Sequence, residues 1–498
     1  MKKRNYAALL LSCLMLLAPV SGGINAAAEE EPAPFDPDSV PGVIPAIREW
    51  NGDTSDYFTL DAGTVLLNTA KSASVKKVAG FFKDMCGIEP LCVYEDNGGK
   101  VIEFVISDTL PDRVTDEGYT LGITKDRVTV TAKTDVGLLY GGITLVQMNY
   151  YEGVIRCGSA VDYPEYPLRS GMLDVGRMWI PLDYVEEITK YMAWFKLNEI
   201  HLHINDHDGD GNTGFRLESD IPGLSTVKNG EKQYYTKDEY RAYQKRMLEY
   251  GVTVVTEIDT PAHSGAFSKV TEGGPSMIGG KSLDIRDEHR EETLEFVKKV
   301  FDEYLLGDDP VFVGKVVHIG TDEYDRAYSE EMRKYTAALA EYIYSLGYTP
   351  RFWAGFGKSG FQGETEIPGF LQANFWDNDI SGLDETVAGG YDIINTLNSL
   401  LYTVPTGNGF PDYLDLEYLY KNWQVYLFNG WGYNKKVEKG YEHLLGACFA
   451  LWNDLGFKNF GITKYDVFDR LRGMVAIVSE KAWTGDQTSQ IPVSDFMT

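Results

Sequence analysis

The sequence predicts an α/β protein in which a (β/α)8 barrel of the TIM type follows a small α+β domain. The length of 498 residues fits about two domains when one of them is a barrel. Over residues 161–498, short apolar runs alternate with amphipathic helical stretches, which is the pattern of a parallel barrel. Over residues 46–160 the pattern instead mixes short strands, turns and two helices.

The first 45 residues have the composition of a targeting segment followed by a leader. Residues 2–4 are positive, residues 6–20 are mostly apolar and residues 26–28 are small, which together predict a secretory signal peptide over residues 1–28. Residues 29–45 are rich in Glu, Pro and Asp and are expected to form a flexible leader. We therefore expect an exported protein, located outside the cell, in a periplasm or at the cell surface, without a membrane span in its mature part.

The α+β domain is predicted from two kinds of periodicity within residues 46–160. Alternating apolar residues indicate strands, and the short polar link Thr124–Asp126 joins two of them into a hairpin. Apolar residues at helical spacing indicate two helices. The predicted strands are 101–106, 119–123 and 127–132, and the predicted helices are 75–85 and 137–150.

The barrel is predicted from eight apolar runs within residues 161–498. The runs are 171–175, 199–204, 252–258, 315–319, 351–354, 371–375, 391–396 and 446–452. Helical stretches separate most of them, among them 182–195, 237–250, 291–305 and 329–346. In such a barrel the functional residues lie at the carboxyl ends of the strands.

Charge and composition limit the classes of partner that the protein is expected to bind. The chain has 46 Lys and Arg against 74 Asp and Glu, a net charge of −28, so its surface repels nucleic acid and anionic lipid. Aromatic residues make up 13% of the chain, which fits either core packing or stacking on the flat faces of sugars. Cys86 and Cys92 are close enough in sequence for a disulfide, and no cysteine or histidine spacing indicates a metal site.

The predicted strand ends are unusually rich in acids and tryptophans. Asp322 and Glu323 are adjacent after the fourth strand, and an acid pair beside tryptophans favours glycoside hydrolysis, in which a carboxylic acid protonates the leaving oxygen. Adjacent acids suit a proton donor next to a group that orients the substrate, rather than two acids on opposite faces of a sugar. The other candidates at strand ends are Asp206, Glu257, Asp259, His263, Trp353, Trp376, Tyr402, Trp452 and Asp454.

Seven segments resemble one enzyme family in the right order. Residues 318–323, His-Ile-Gly-Thr-Asp-Glu, are similar to the His-x-Gly-x-Asp-Glu signature of family 20 glycoside hydrolases, the β-N-acetylhexosaminidases and lacto-N-biosidases. The further similar segments are 169–175, 196–203, 257–264 and 451–454 in the barrel, with 117–121 and 137–142 in the preceding domain.

The resemblance implies substrate-assisted catalysis, in which the 2-acetamido oxygen of the sugar attacks the anomeric carbon and forms an oxazolinium intermediate. Glu323 would be the general acid and base, Asp322 would hold the acetamido N–H, and Tyr402 would donate to the acetamido oxygen. No cofactor and no metal are implied. The substrate-binding residues implied are Arg169 for ring hydroxyls, Trp353, Trp376 and Trp452 as pocket walls, Asp206 and His263 as a polar chain beside Glu323, and Asp454 for an outer hydroxyl.

Some of these residues also have structural interpretations. For Arg169 the alternative to sugar binding is a structural ion pair at the barrel mouth, and Asp259 could simply hold its neighbours in place. Packing is the expected role of His201 and His203. Asp174 and Arg177 are expected to belong to the scaffold, as a buried ion pair.

The sequence also departs from the common family pattern. Asp206–Gly211 replaces the usual Asp-Asp-Gln-Gly-Trp-Arg, and Thr403–Pro405 after Tyr402 lacks the usual acid. In these two segments the sequence is similar to the branch of the family that cleaves host glycans, which includes the lacto-N-biosidases. The expected activity is release of terminal β-linked N-acetylhexosamine from a glycan or oligosaccharide, the alternative is lacto-N-biosidase activity, and an inactive glycan-binding protein is disfavoured because Asp322 and Glu323 are retained. Family 18 chemistry would need an Asp-x-x-Asp-x-Asp-x-Glu pattern, which is absent.

Overall fold

A computed structural model describes residues 36, 39–96, 98–207, 214–407, 409–454, 461–486 and 491–497. The predicted signal peptide and most of the predicted leader lie outside these residues. No helix within the described residues is both long enough and apolar enough to cross a membrane.

The amino-terminal domain is a mixed seven-stranded sheet with two helices. The predicted hairpin forms, with Tyr119 opposite Ala132 in antiparallel register. Helix Asp135–Glu152 is buried from Gly137 to Met148, because one side faces the sheet and the other contacts barrel helices. In sheet order the strands are Glu49–Phe58, Ile155–Asp162, Tyr119–Ile123, Arg127–Ala132, Val101–Ile106, Val65–Asn68 and Leu91–Val93, and the other helix is Ser74–Cys86.

The second domain is the predicted eight-stranded parallel barrel, so the fold class is confirmed. The ring closes where the eighth strand pairs with both the seventh and the first. In chain order the barrel strands are Leu168–Asp174, Glu199–His203, Thr253–Thr260, Val316–Gly320, Thr349–Trp353, Gln372–Phe375, Asp392–Asn395 and Leu444–Leu451. The helices of this domain are Leu182–Trp194, Lys237–Leu248, Arg290–Leu305, Ser329–Ser345, Leu383–Ala388, Asn398–Leu401, Leu416–Asn422, Lys464–Thr484 and Val493–Met497.

Several short strands and two 3-10 turns lie in the loops at the carboxyl end of the barrel. Tyr402–Thr403 pairs with the end of the eighth strand, which fixes Tyr402 at the rim. The remaining short strands are Asn205–Asp206 with Gly214–Phe215, Val227–Lys228 with Glu231–Lys232, and Met277–Ile278 with Ser282–Leu283, and the 3-10 turns are Gly265–Lys269 and Arg326–Tyr328.

Two apolar clusters organise the interior. One core is continuous across both domains, while a second, smaller cluster lies inside the barrel and includes Trp353, Trp376, Tyr402 and Trp452. Cys86 and Cys92 are present as separate thiols rather than as a disulfide.

Candidate active site

The candidate site lies at the carboxyl end of the barrel, where the polar strand ends predicted from the sequence meet. Asp206 follows the second strand, Asp259 lies at the end of the third, and Asp322 and Glu323 follow the fourth. The strands are parallel and neighbouring, so their ends lie side by side on one rim. This geometry brings residues about sixty positions apart into direct contact, since His263 lies against both Asp206 and Glu323.

The backbone beside the acid pair is held in strained conformations. His263, Thr321 and Glu323 have φ of 50°, 75° and 33°, in the left-handed region that non-glycine residues seldom adopt. Gly320 has φ of 71°, and a Cβ added there would lie 1.7 Å from Oδ1 of Asp259, so only glycine fits. Such strain persists only where surrounding contacts enforce it, and it clusters at functional sites.

A chain of alternating acids and histidines runs from the barrel interior to the rim. His203 lies between two carboxylates, with Nδ1 2.8 Å from Glu257 and Nε2 2.6 Å from Asp206. His263 lies between the next two, with Nδ1 3.0 Å from Asp206 and Nε2 3.2 Å from Glu323. Both nitrogens of each ring face a carboxylate, so each histidine donates twice and carries a positive charge.

The alternation of carboxylates and histidines sets the pKa values of the residues in this row. Burial alone would lower the pKa of His263, but the carboxylates of Asp206 and Asp259 outweigh it and hold that pKa well above its ordinary value. The hydrogen bond from His263 lowers the pKa of Glu323, against the raising effect of burial. In the unliganded protein Glu323 is therefore a carboxylate, with 54% of its side chain exposed to solvent.

Asp322 has the opposite electrostatic character. Burial raises its pKa to about 6, and the charge of Glu323 adds to this effect while His263 opposes it. Its Oδ1 accepts no hydrogen bond from any described residue, and the nearest positive group is Nε2 of His263 at 3.9 Å. A buried carboxylate oxygen without a donor is costly, and a ligand that brought a donor to it would remove that cost.

Asp259 supports the turn that carries the acid pair. Its Oδ1 accepts a hydrogen bond from the backbone N–H of Thr321 at 3.3 Å. Burial and the charge of Asp322 hold the pKa of Asp259 well above its ordinary value. Asp259 therefore positions its neighbours, which is one of the two roles expected from the sequence.

The four predicted aromatic residues form one wall beside Asp322. The ring of Trp452 lies 5.6 Å from that of Trp353 and 5.9 Å from that of Tyr402, and Nε1 of Trp376 donates to a backbone carbonyl at 3.0 Å. Trp353 is 1% exposed and donates to Glu257 at 2.6 Å, so it is the most deeply buried of the four aromatic residues. Burial and the charge of Asp322 raise the pKa of Tyr402 well above its ordinary value, which keeps its hydroxyl a donor.

The prediction that Arg169 binds the sugar hydroxyls is wrong, because the structure does not place Arg169 in this cluster. Arg169 lies near the start of the first barrel strand, at the opposite end from the acid pair, and is fully buried. It donates to Glu117 of the first domain at 2.9 Å and to the backbone carbonyl of Lys196 at 2.7 Å. Its role is the ion pair that was the structural alternative, because a strand of seven residues separates its two ends by about 20 Å.

Arg177 occupies the position that Arg169 was expected to fill. It follows the end of the first strand and contacts Asp174 at 3.0 Å and Asp206 at 2.9 Å. Its guanidinium lies 3.9 Å from Asp454 and over the ring of Trp452. The sequence did carry a signal, because Arg177 comes after its strand whereas Arg169 precedes most of it.

His203 is the second residue whose expected role changes. Packing was expected, yet its ring links Glu257 to Asp206 and so belongs to the polar chain that ends at Glu323. Its signal was the alternation of side chains along the strand, which places residue 203 inside the barrel together with residue 201.

Three groups of described residues place metal-ligand atoms within 4.8 Å of one another. In the first two groups Glu257 is the shared member, and its oxygens lie 2.8 to 3.3 Å from ring nitrogens of His203, His201 and His318. The groups are His201–Glu257–His318, His203–Glu257–Asp259 and Asp259–His263–Asp322.

Comparison with known proteins agrees with this geometry. Residues 166–486 match the catalytic domain of glycosyl hydrolase family 20, and residues 40–163 match domain 2 of that family. A lacto-N-biosidase of Bifidobacterium bifidum is 24% identical over 89% of this chain and 40% of its own length. A β-hexosaminidase of Akkermansia muciniphila is 27% identical over 51% of this chain and 58% of its own length. The chain thus spans less than two thirds of the length of these curated relatives.

The solved structures agree in fold. The β-N-acetylhexosaminidase from Streptomyces coelicolor A3(2) superposes with a TM-score of 0.68 at 22% identity, over 92% of this chain and 93% of that one. The match of the family's catalytic domain covers more than half of the chain, and it includes Asp322 and Glu323 at the fourth strand end. The chain therefore belongs to glycosyl hydrolase family 20.

Proposed function

We propose that the protein is a retaining glycoside hydrolase that releases terminal β-linked N-acetylhexosamine by substrate-assisted catalysis. The observation that carries this proposal is the buried Oδ1 of Asp322, which has no donor among the described residues. The charge of Asp322 acts on Tyr402, which belongs to the aromatic cluster. An acetamido N–H is a neutral donor of the right kind, because it satisfies the carboxylate without requiring it to lose its charge.

The reaction then follows from three groups. Asp322 orients the acetamido group and stabilises the positive charge that develops on it as its oxygen attacks the anomeric carbon. Tyr402 donates its hydroxyl to that acetamido oxygen and fixes its direction of attack. Glu323 gives its proton to the leaving oxygen, and afterwards it takes a proton from the water that opens the oxazolinium ring, which restores the starting configuration at the anomeric carbon.

Glu323 must be protonated for the first step, although His263 holds it ionised in the unliganded protein. Half of its side chain faces solvent, so a bound sugar covers it and burial raises its pKa. The N–H that reaches Asp322 lowers the pKa of that group at the same time. Substrate binding therefore moves the shared proton from Asp322 towards Glu323, where the chemistry needs it.

Arg177 and Asp454 are proposed to bind the ring hydroxyls. Arg177 is held by Asp174 and Asp206 and lies over Trp452, so its guanidinium is fixed next to the sugar face. Asp454 has 31% of its side chain exposed and can accept from a hydroxyl at the rim. Export of the protein, expected from residues 1–28, belongs to the same proposal.

A second candidate activity is that of a lacto-N-biosidase, which releases a disaccharide. It is favoured by the Bifidobacterium bifidum relative, whose similarity runs through 89% of this chain. The two activities share the same three catalytic groups and differ in whether a second sugar fits beyond the first.

The experiment uses aryl glycosides whose acetamido group carries zero to three fluorine atoms. If the acetamido oxygen is the nucleophile, each fluorine weakens it and kcat/KM falls progressively, and NMR shows the β-product first. Parallel assays of aryl β-GlcNAc, aryl β-GalNAc and aryl β-lacto-N-bioside separate the two activities. A rate that is indifferent to fluorine, or an α-product, contradicts the proposal.

A further inference from the structure

Asn205 is a buried residue at the end of the second barrel strand, and the proposed mechanism gives it no role. It directly precedes Asp206 and is 0% exposed to solvent. A buried amide is costly unless its hydrogen bonds are made, so the partners of Asn205 indicate what it holds in place.

The side-chain amide of Asn205 continues the pairing of the second and third strands. These strands pair in parallel as far as His203 and Glu257. Beyond that point, Oδ1 of Asn205 accepts from the backbone N–H of Asp259 at 2.9 Å, and Nδ2 donates to the backbone carbonyl of Asp259 at 2.9 Å. Because that N–H must meet an oxygen, the orientation of the amide is fixed, and a carboxylate could not make both bonds.

The same Nδ2 reaches the loop that carries His263. It donates to the backbone carbonyl of His263 at 3.3 Å. His263 has φ of 50°, a conformation that a non-glycine residue keeps only where its surroundings enforce it. Asn205 is itself fixed from the other side, since a Cβ added at Gly176 would lie only 2.8 Å from its backbone.

The end of the second strand thus holds His263 at two points. Asn205 holds the backbone of His263, and Asp206 lies 3.0 Å from Nδ1 of its ring. The other ring nitrogen, Nε2, then lies 3.2 Å from Glu323. A ring held through Asp206 alone could turn about that contact and lose Glu323.

We propose that Asn205 is a positioning residue, which fixes the backbone of His263 so that its ring bridges Asp206 and Glu323. The inference rests on the proposed function, in which Glu323 is the proton donor. Asn205 acts through His263 and not on the sugar.

The test compares Asn205→Ala and the milder Asn205→Ser with Asn68→Ala as the matched control. Asn68 is also buried, and its amide makes the same pair of bonds to the backbone of Ser72, at 2.9 and 2.8 Å, but it lies in the first domain. Its loss removes a comparable buried amide without a contact to the acid pair. The melting temperature of each variant is measured, and Asn205→Ser replaces Asn205→Ala if the latter does not fold.

Rates are measured on two aryl β-GlcNAc substrates, one with a poor and one with an activated leaving group. A displaced proton donor matters most where the leaving group needs a proton. In the Asn205 variants we expect kcat/KM to fall about 10- to 100-fold on the first substrate and far less on the second. Asn68→Ala leaves the ratio of the two rates unchanged, and an unchanged ratio in a folded Asn205 variant overturns the inference.

The pH profile gives a second readout, which a purely structural role would not change. The hydrogen bond from His263 lowers the pKa of Glu323, so its loss raises that pKa, and the acid limb of kcat/KM moves to higher pH. The other titratable or charged groups around His263 and Glu323 stay in place in every variant. They are His203, Asp206, Asp259, Asp322, Arg177 and Arg326.

Crystal structures of the folded variants separate this inference from the proposed function. In the Asn205 variants we expect φ of His263 to leave the left-handed region and Nε2 to move beyond hydrogen-bond distance from Glu323. A His263 ring that keeps both of its carboxylate contacts overturns the inference, whether or not the protein is active. The proposed function fails separately, if the unaltered chain hydrolyses neither aryl glycoside.

Discussion

The pH dependence of kcat/KM is the sharpest test of the acid pair. The proposed mechanism needs one proton on the pair, carried by Glu323 while Asp322 is charged. The one-proton state exists between the lowered pKa of Glu323 and the pKa of Asp322, which burial raises to about 6. Above this window the pair loses its last proton, so we expect the basic limb of kcat/KM near pH 6.

The magnitude follows from the burial of Asp322. Its pKa rises from the ordinary 3.8 to about 6, which at 1.36 kcal/mol per pH unit corresponds to about 3 kcal/mol in favour of the protonated form. A substrate N–H that restores the charged form recovers up to that amount. The basic limb of kcat, which reports the bound state, is therefore expected at higher pH than that of kcat/KM, because bound substrate also covers Glu323.

The perturbation is Asp322→Asn. It removes the stabilising charge, so kcat is expected to fall on the order of 10²-fold or more. Only Glu323 then titrates, and the hydrogen bond from His263 lowers its pKa, so the basic limb of kcat/KM moves from near 6 to below 4.5.

The assay is hydrolysis of aryl β-GlcNAc from about pH 3 to 8, with enzyme stability checked at each pH. Asp238→Asn is the matched control, since that carboxylate is 96% exposed on a barrel helix and its loss should leave the profile unchanged. An Asp322→Asn protein that keeps the limb near pH 6 would refute the reasoning.

The remaining predictions concern five single residues. Glu323→Gln should lose ~10²–10⁴-fold on glycosides with poor leaving groups and far less on activated aryl glycosides, and equal losses would count against it as the acid. Tyr402→Phe should weaken a GlcNAc-thiazoline inhibitor and lower kcat together; an unchanged inhibition constant would remove its role. Arg177→Lys should lower kcat/KM ~10–100-fold, because a charged hydrogen bond is lost. Arg169→Met should instead lower the free energy of unfolding by ~3–5 kcal/mol, measured by urea denaturation, without a selective effect on kcat. Gly320→Ala should abolish activity, because its Cβ would overlap Asp259; retained activity would mean that the turn can relax.

The periodicity of apolar residues was sufficient to predict the barrel and the positions of its strands. All eight strands lie where alternation with amphipathic helices predicted them, and the ends differ by a few residues; for example, residues 252–258 were predicted and Thr253–Thr260 is observed. This works because a strand buried between a barrel interior and a layer of helices is apolar on both faces. In the first domain, Glu49–Phe58 was not predicted, because its polar composition gives no alternation for the sheet to reveal.

Whether a residue reaches the site could not be decided from its motif alone. Arg169 and Arg177 belong to one segment and have the same charge, yet the strand between them places one at the domain interface and the other among Asp174, Asp206 and Asp454. The position relative to the strand end is what separates them, and it depends on where the strand begins.

The sequence by itself determined the fold class, the rim on which the site lies and the residue types at each strand end, because these depend on local periodicity and chain order. Only the tertiary structure decided the electrostatics. Whether the pKa of Asp322 is raised and that of Glu323 lowered depends on burial and on His263. The row of acids and histidines from Glu257 to Glu323 joins residues from three strand ends. A pKa is set by what surrounds a group in space, and that arrangement exists only once the barrel closes.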